Sequence, residues 1–110
     1  MLNKRKFYIN GKWVKPSKAN DFEVINPSNE EPFAVISFGF KEDTNVAVES
    51  AKKALVGWKE TSKKERIALL EKLLKIYKKR FDEMANAISL EMGAPIDWSS
   101  SAQAASGQSH

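Results

Sequence analysis

The sequence predicts an α/β fold in which short N-terminal strands, two of them a hairpin, precede three α-helices, the whole incomplete as a domain. Three observations carry this expectation. The first 40 residues alternate short aromatic and β-branched runs with turn residues. The apolar period then changes from two to about 3.6. The strands are also too few and too short to close a sheet that could shield its own edges.

The strand region opens on "FYINGKWV". Its two runs flank Asn10-Gly11, the pair best suited to positive φ at both centres of a type I′ turn. "FEVINP" reads as the next strand, with Phe22, Val24 and Ile25 giving it β character. Pro27 has no N–H to offer a ladder and ends it. "PSNEEP" is a turn cluster between prolines, and "FAVISF" is a further strand closed by Gly39.

The first helix is "KEDTNVAVESAKKALVGW", with Val46, Val48, Ala51, Ala54, Leu55 and Trp58 as an apolar stripe. Glu42 and Asp43 stand at its start and Lys52 and Lys53 nearer its end, both in the sense the helix dipole favours. The second is "SKKERIALLEKLLKIYKKRF". Ser62 and Glu65 have capping-box spacing, a hydroxyl reaching forward and a carboxylate reaching back. Ile67, Leu70, Leu73, Leu74, Tyr77 and Phe81 recur at helical spacing and predict one buried face docked on the other two helices. The third, "FDEMANAISLEMG", repeats the pattern with Phe81, Met84, Ala87, Ile88 and Met92. Gly93 is placed as a left-handed C-cap and Pro95 as a stop.

Composition bounds the chemistry. The chain has 110 residues, 42% apolar and 29% charged, a globular balance suited to one small domain. It contains no cysteine, which excludes disulfides, thiolate metal sites and a cysteine nucleophile within these residues. A net charge of +4 is too modest to argue for a nucleic-acid partner. The basic opening is followed by no apolar run of signal-peptide length, and no stretch reaches the ~18 apolar residues of a membrane span. The expectation is a soluble, cytoplasmic chain without a membrane partner.

No constellation within these residues carries catalysis. The only histidine, His110, is the last residue, without an orienting partner. The five glycines never gather into a phosphate loop. Glu30-Glu31 lies in a turn and Glu42-Asp43 at a helix start. Lys63, Lys64, Lys72, Lys75, Lys78, Lys79 and Arg80 could meet phosphate. Glu65, Glu71, Asp82 and Glu83 interleave with them, and no aromatic platform accompanies them, so a solvated face is the stronger reading. Trp13, Trp58 and Trp98 are expected to fill core or interface gaps. Catalytic and cofactor-binding residues are therefore expected to be absent from this stretch.

Taken together and in order, "FYINGKWV", "VINPSNEEPFAVI", the helix ending at Trp58, "SKKERIALLEKLLKIYKKRFDEMANAISLEMGAP" and "AQAASGQSH" resemble one family. The chain is similar, from about Phe7 to His110, to the amino-terminal region of NAD(P)-dependent aldehyde dehydrogenases. The "INP" turn, Trp58, the Glu65-Arg66 pair and "LEMGAP" carry the register.

The resemblance implies a parent several times longer, converting an aldehyde, NAD(P)+ and water to a carboxylic acid and NAD(P)H. In that family a cysteine thiolate attacks the carbonyl, an oxyanion hole steadies the adduct, and hydride passes to the nicotinamide. A glutamate then activates water. Those residues come later in the chain. Residues 1–110 would be the amino-terminal part of the cofactor-binding domain, inactive alone and partnered by the remainder of the parent, itself a homo-oligomer. The "DWSSSAQAASGQSH" stretch fits the opening of a further helix, with Asp97 as N-cap and Ala102, Ala104 and Ala105 as helix formers, and looks cut inside that element. The resemblance also implies a structural monovalent cation held by the backbone carbonyls of Val24 and Ile25 and the carboxylate of Glu91. Two other readings stand beside this: a stand-alone helical interaction module with a basic face, and a non-functional remnant.

Overall fold

A computed structural model of the chain describes residues 1–109. His110, weighed above as a catalytic group, lies outside the described residues. The elements run β1 (Leu2–Lys4), β2 (Phe7–Ile9), β3 (Lys12–Val14), β4 (Asp21–Asn26), β5 (Glu31–Ser37), α1 (Lys41–Trp58), α2 (Lys63–Lys79) and α3 (Phe81–Met92). A continuous helical stretch then comprises α4 (Ile96–Trp98), a π-helical turn over Ser99–Ala104, and α5 (Ala105–Ser109). The backbone gathers into two compact units. One joins Met1–Val24 to Pro32–Thr61; the other joins Ile25–Glu31 to the residues from Ser62 onward.

In the first unit β2 and β3 form the expected antiparallel hairpin, with Tyr8 opposite Trp13 and Ile9 opposite Lys12. Asn10 and Gly11 take φ of 53° and 73°, as a type I′ turn requires. Tyr8 and Trp13 meet on the exposed face with ring centres 5.2 Å apart and ring planes tilted by 59°. Phe7, Ile9 and Val14, on the opposite face, are half-buried. A three-stranded sheet runs in the order β1-β5-β4. Its parallel pairing sets Leu2 opposite Ala34 and Lys4 opposite Ile36. Strand β1 was not expected: three residues with two polar side chains give no strand signal until β5 supplies a partner. Ala34, Val35 and Ser37 of β5 are buried.

The caps follow the sequence closely. Ser62 Oγ accepts from the Glu65 N–H at 3.2 Å, and Glu65 returns to the Ser62 N–H at 2.6 Å. Asp43 likewise accepts from the Phe40 N–H at 2.9 Å. Gly93 ends α3 with φ of 70°. Asp97 is corrected: it lies inside α4, whose N-cap is Pro95.

The expected buried faces are also corrected. Neither α1 nor α2 contains a buried residue. Leu70 and Leu73 are 64% and 61% exposed, while Leu74, Tyr77 and Phe81 are half-buried. Periodicity reports which side of a helix is apolar, not whether a neighbour covers it. In α3 the enclosed residue is Ala85, at 1% exposure, whereas Met84 and Met92 are exposed. The second unit instead closes around small residues, with Ala85, Ser99 and Ala104 as its buried positions.

Candidate functional site

The three candidate cation ligands fall on two elements. Val24 and Ile25 lie in β4 and Glu91 is the penultimate residue of α3. Ile25 and Glu91 belong to the second unit and Val24 to the first. Val24 is half-buried; the other two are exposed.

The turn after Ile25 is held by its own asparagine. Asn26 Oδ1 accepts from the Ser28 N–H at 2.9 Å, and its carbonyl accepts from the Glu30 N–H at 2.8 Å. Such an Asx turn lets a side chain stand in for backbone hydrogen bonds. The cap after Glu91 is equally fixed. The Gly93 N–H donates to the Ser89 carbonyl at 2.9 Å, and Ser89 Oγ donates to the Ala94 carbonyl at 2.7 Å.

These two turns meet. A Cβ built on Gly93 would stand 2.7 Å from Pro27 Cγ, so only glycine admits this approach, and its positive φ excludes most other residues independently. Ile25 is two residues before Pro27, and Glu91 is two residues before Gly93. The backbone carbonyl and the carboxylate are hard oxygen donors of the kind that suit alkali and alkaline-earth cations. Among the described residues no cluster of three histidine, cysteine, aspartate or glutamate side chains is placed to hold a metal.

Sequence reasoning missed one polar junction in each unit. In the first, Asp43 also accepts from the backbone N–H and the hydroxyl of Ser17, at 2.8 and 2.9 Å. The Phe40 N–H, and then those two Ser17 donors, hold its carboxyl below the usual carboxylate range. In the second, Tyr77 Oη donates to the Ala104 carbonyl at 2.8 Å. Gly107 packs so closely on that ring that an added Cβ would fall 2.6 Å from the hydroxyl. An isolated glycine in a helical pattern was the one signal available for it. The basic side of α2 remains solvated, and Arg80 is paired with Glu83 at 2.8 Å.

The architecture defines a mixed α/β segment of the kind found within much longer enzymes. The Aldehyde dehydrogenase family model matches residues 13–108. Over its whole length the chain superposes on an aldehyde dehydrogenase of Bartonella henselae with a TM-score of 0.99 and 56% identity, covering 23% of that chain. A Pseudomonas syringae aldehyde dehydrogenase, solved with NAD+ and octanal, gives a TM-score of 0.90 and 37% identity over 92% of this chain and 21% of its own. A 3-succinoylsemialdehyde-pyridine dehydrogenase of a Pseudomonas species is 45% identical across 87% of the chain. The chain spans 20% of the length of that relative. The chain belongs to the aldehyde dehydrogenase family and corresponds to an amino-terminal portion of such an enzyme.

Proposed function

We propose that residues 1–110 serve as the outer strands and helices of the cofactor-binding domain of an NAD(P)-dependent aldehyde dehydrogenase. The complete enzyme oxidises an aldehyde to a carboxylic acid, and this stretch supports the fold that holds the cofactor without contributing a reacting group. The observation that carries the reading is the superposition on the Bartonella henselae enzyme over all of this chain and 23% of that one. The lack of any cysteine agrees with it, because thiolate attack on the carbonyl must then come from elsewhere. In the complete enzyme the same reading gives the Ile25 carbonyl and Glu91 carboxylate, with the adjoining Val24 carbonyl, to a monovalent cation. The meeting of Pro27 with Gly93 supports that assignment, since it fixes the turns that follow Ile25 and Glu91.

The test is a graft. This chain replaces the matching segment of the Bartonella henselae enzyme, and aldehyde-dependent NAD(P)H formation is followed. The graft should be active, adding potassium should raise its thermal-unfolding midpoint, and Glu91→Gln should reduce that rise. The purified chain alone should give no turnover above background. Turnover by the chain alone that a substitution within it abolishes, or a folded graft without activity, would overturn the reading.

A further inference from the structure

The positive charge of this chain is confined to one end. Residues 1–20 hold six cations, Lys4, Arg5, Lys6, Lys12, Lys15 and Lys18, and no carboxylate. The other residues hold twelve basic groups against fourteen acidic ones and are net negative. Such an asymmetry marks a segment that meets an anionic partner.

The structure shows how these cations are disposed. Arg5 is committed to Asp21 at 2.7 Å, and Lys18 lies over the Phe40 ring at 5.7 Å. Lys4, Lys6, Lys12 and Lys15 have no carboxylate partner among the described residues. Lys4, Lys6 and Trp13 line one groove, of about 490 Å³. Lys6 and Lys15 line a second, with Asn3 common to both. Free ammonium groups therefore gather beside the exposed face of the hairpin. That face carries Tyr8 and Trp13, 63% and 67% exposed, and Met1 and Leu2 are also open to solvent.

We propose that this face, contrary to the expectation of no membrane partner, docks on an anionic lipid surface. Its chemistry is that of an interfacial anchor. Unpaired lysines near a surface of anionic headgroups are each favourable, and their long stems let the charge reach the headgroups while the methylenes stay on apolar surface. Tyrosine and tryptophan, amphipathic rings with one polar atom, partition to the same level. Single-stranded nucleic acid fits less well. It is best met by open aromatic faces and by arginine forks. Here the two rings lie tilted by 59° against each other and form no flat platform, and the single arginine of this segment is already engaged by Asp21. The absence of a membrane-spanning helix among the described residues does not bear on surface binding.

The experiment uses the whole chain carrying Trp58→Phe and Trp98→Phe, so that Trp13 is the only indole. Sedimentation compares vesicles of phosphatidylcholine alone with vesicles in which part is replaced by phosphatidylglycerol. The chain should sediment with the second and not the first, with a blue shift of Trp13 emission. Release should follow in ~1 M salt, where the screening length is about 3 Å. Neutralising Lys4, Lys6 and Lys15 together as glutamine should weaken binding by about a hundredfold. Neutralising Lys72, Lys75 and Lys79 of α2 should leave it nearly unchanged, and circular dichroism should show both variants folded. Equal binding to both vesicle types, no binding to either, an unaffected first variant, or tighter binding to oligothymidylate than to the anionic vesicles would each overturn the proposal.

Discussion

Asp43 carries more of the first unit than its place in the first turn of a helix suggests. One carboxylate satisfies the Phe40 N–H at the start of α1 and both polar groups of Ser17, which lies 26 residues earlier. The near half of this was legible, because an acid in the first turn is favoured by the dipole and by the orphan N–H groups there. The bond to Ser17 was not, because nothing local joins a loop serine to a helix start that far along the chain. The same divide separates other residues. Asn10-Gly11, Ser62 with Glu65, and Gly93 act within a few positions and were read correctly. Whether Val24, Ile25 and Glu91 share a ligand depends on how distant turns approach, which the residues alone do not reveal. The pH dependence follows from the direction of the Asp43 shift. Its carboxyl is held below the ordinary value of 3.8 in the folded chain. Its contribution is therefore fully present above that value and is lost as pH falls through the lower folded one. Asp43→Asn should make local stability less dependent on pH below about 4. Amide exchange at Ser17 and Phe40 measures this: both should exchange faster in the variant at neutral pH, while the Glu65 amide stays as it was. Equal protection of Ser17 in the two chains would show that the junction contributes nothing.

At the level of elements, the helix following Pro95 departs most from the simple reading. Small residues predicted ordinary helix, and Ser99–Ala104 instead takes a π turn. Such turns widen the backbone by one residue and persist where the surroundings hold them. Here the Tyr77 hydroxyl reaches the Ala104 carbonyl, and Ala104 and Ser99 are fully enclosed. Tyr77→Phe removes that bond at a cost of about 1 kcal/mol. Gly107→Ala should cost more, because its Cβ would lie 2.6 Å from the hydroxyl and 2.7 Å from the adjoining ring carbon. Glycine to alanine in an unconstrained helix would instead stabilise by up to ~1 kcal/mol. The sign of the Gly107→Ala effect on urea unfolding thus decides whether Tyr77 and Gly107 meet as described. Tertiary packing has overridden propensity here. Helix α2 was more legible because its cap, period and apolar side agree at every level.

For the whole molecule, the sequence named the apolar side of α2 correctly, but not its exposure within this chain. A large apolar side chain in an enclosed core loses about 2–5 kcal/mol when cut to alanine. A substitution on an open surface usually changes stability by less than about 0.5 kcal/mol. Leu70 and Leu73, 64% and 61% exposed, belong to the second case in this chain. If residues 1–110 act as part of a longer enzyme, the same side chains can move to the first case there, because patches of exposed leucine commonly mark surfaces that another segment covers. One pair of measurements separates the two settings. Leu70→Ala and Leu73→Ala should barely shift the urea midpoint of the chain by itself. In the graft with the Bartonella henselae enzyme, each should lower the unfolding midpoint clearly, with a Lys72→Ala control unchanged. A large loss in the chain alone would mean that α2 is enclosed by residues 1–110 themselves. No loss in either setting would mean that this side of the helix stays in water, and its leucines would then need an explanation other than packing.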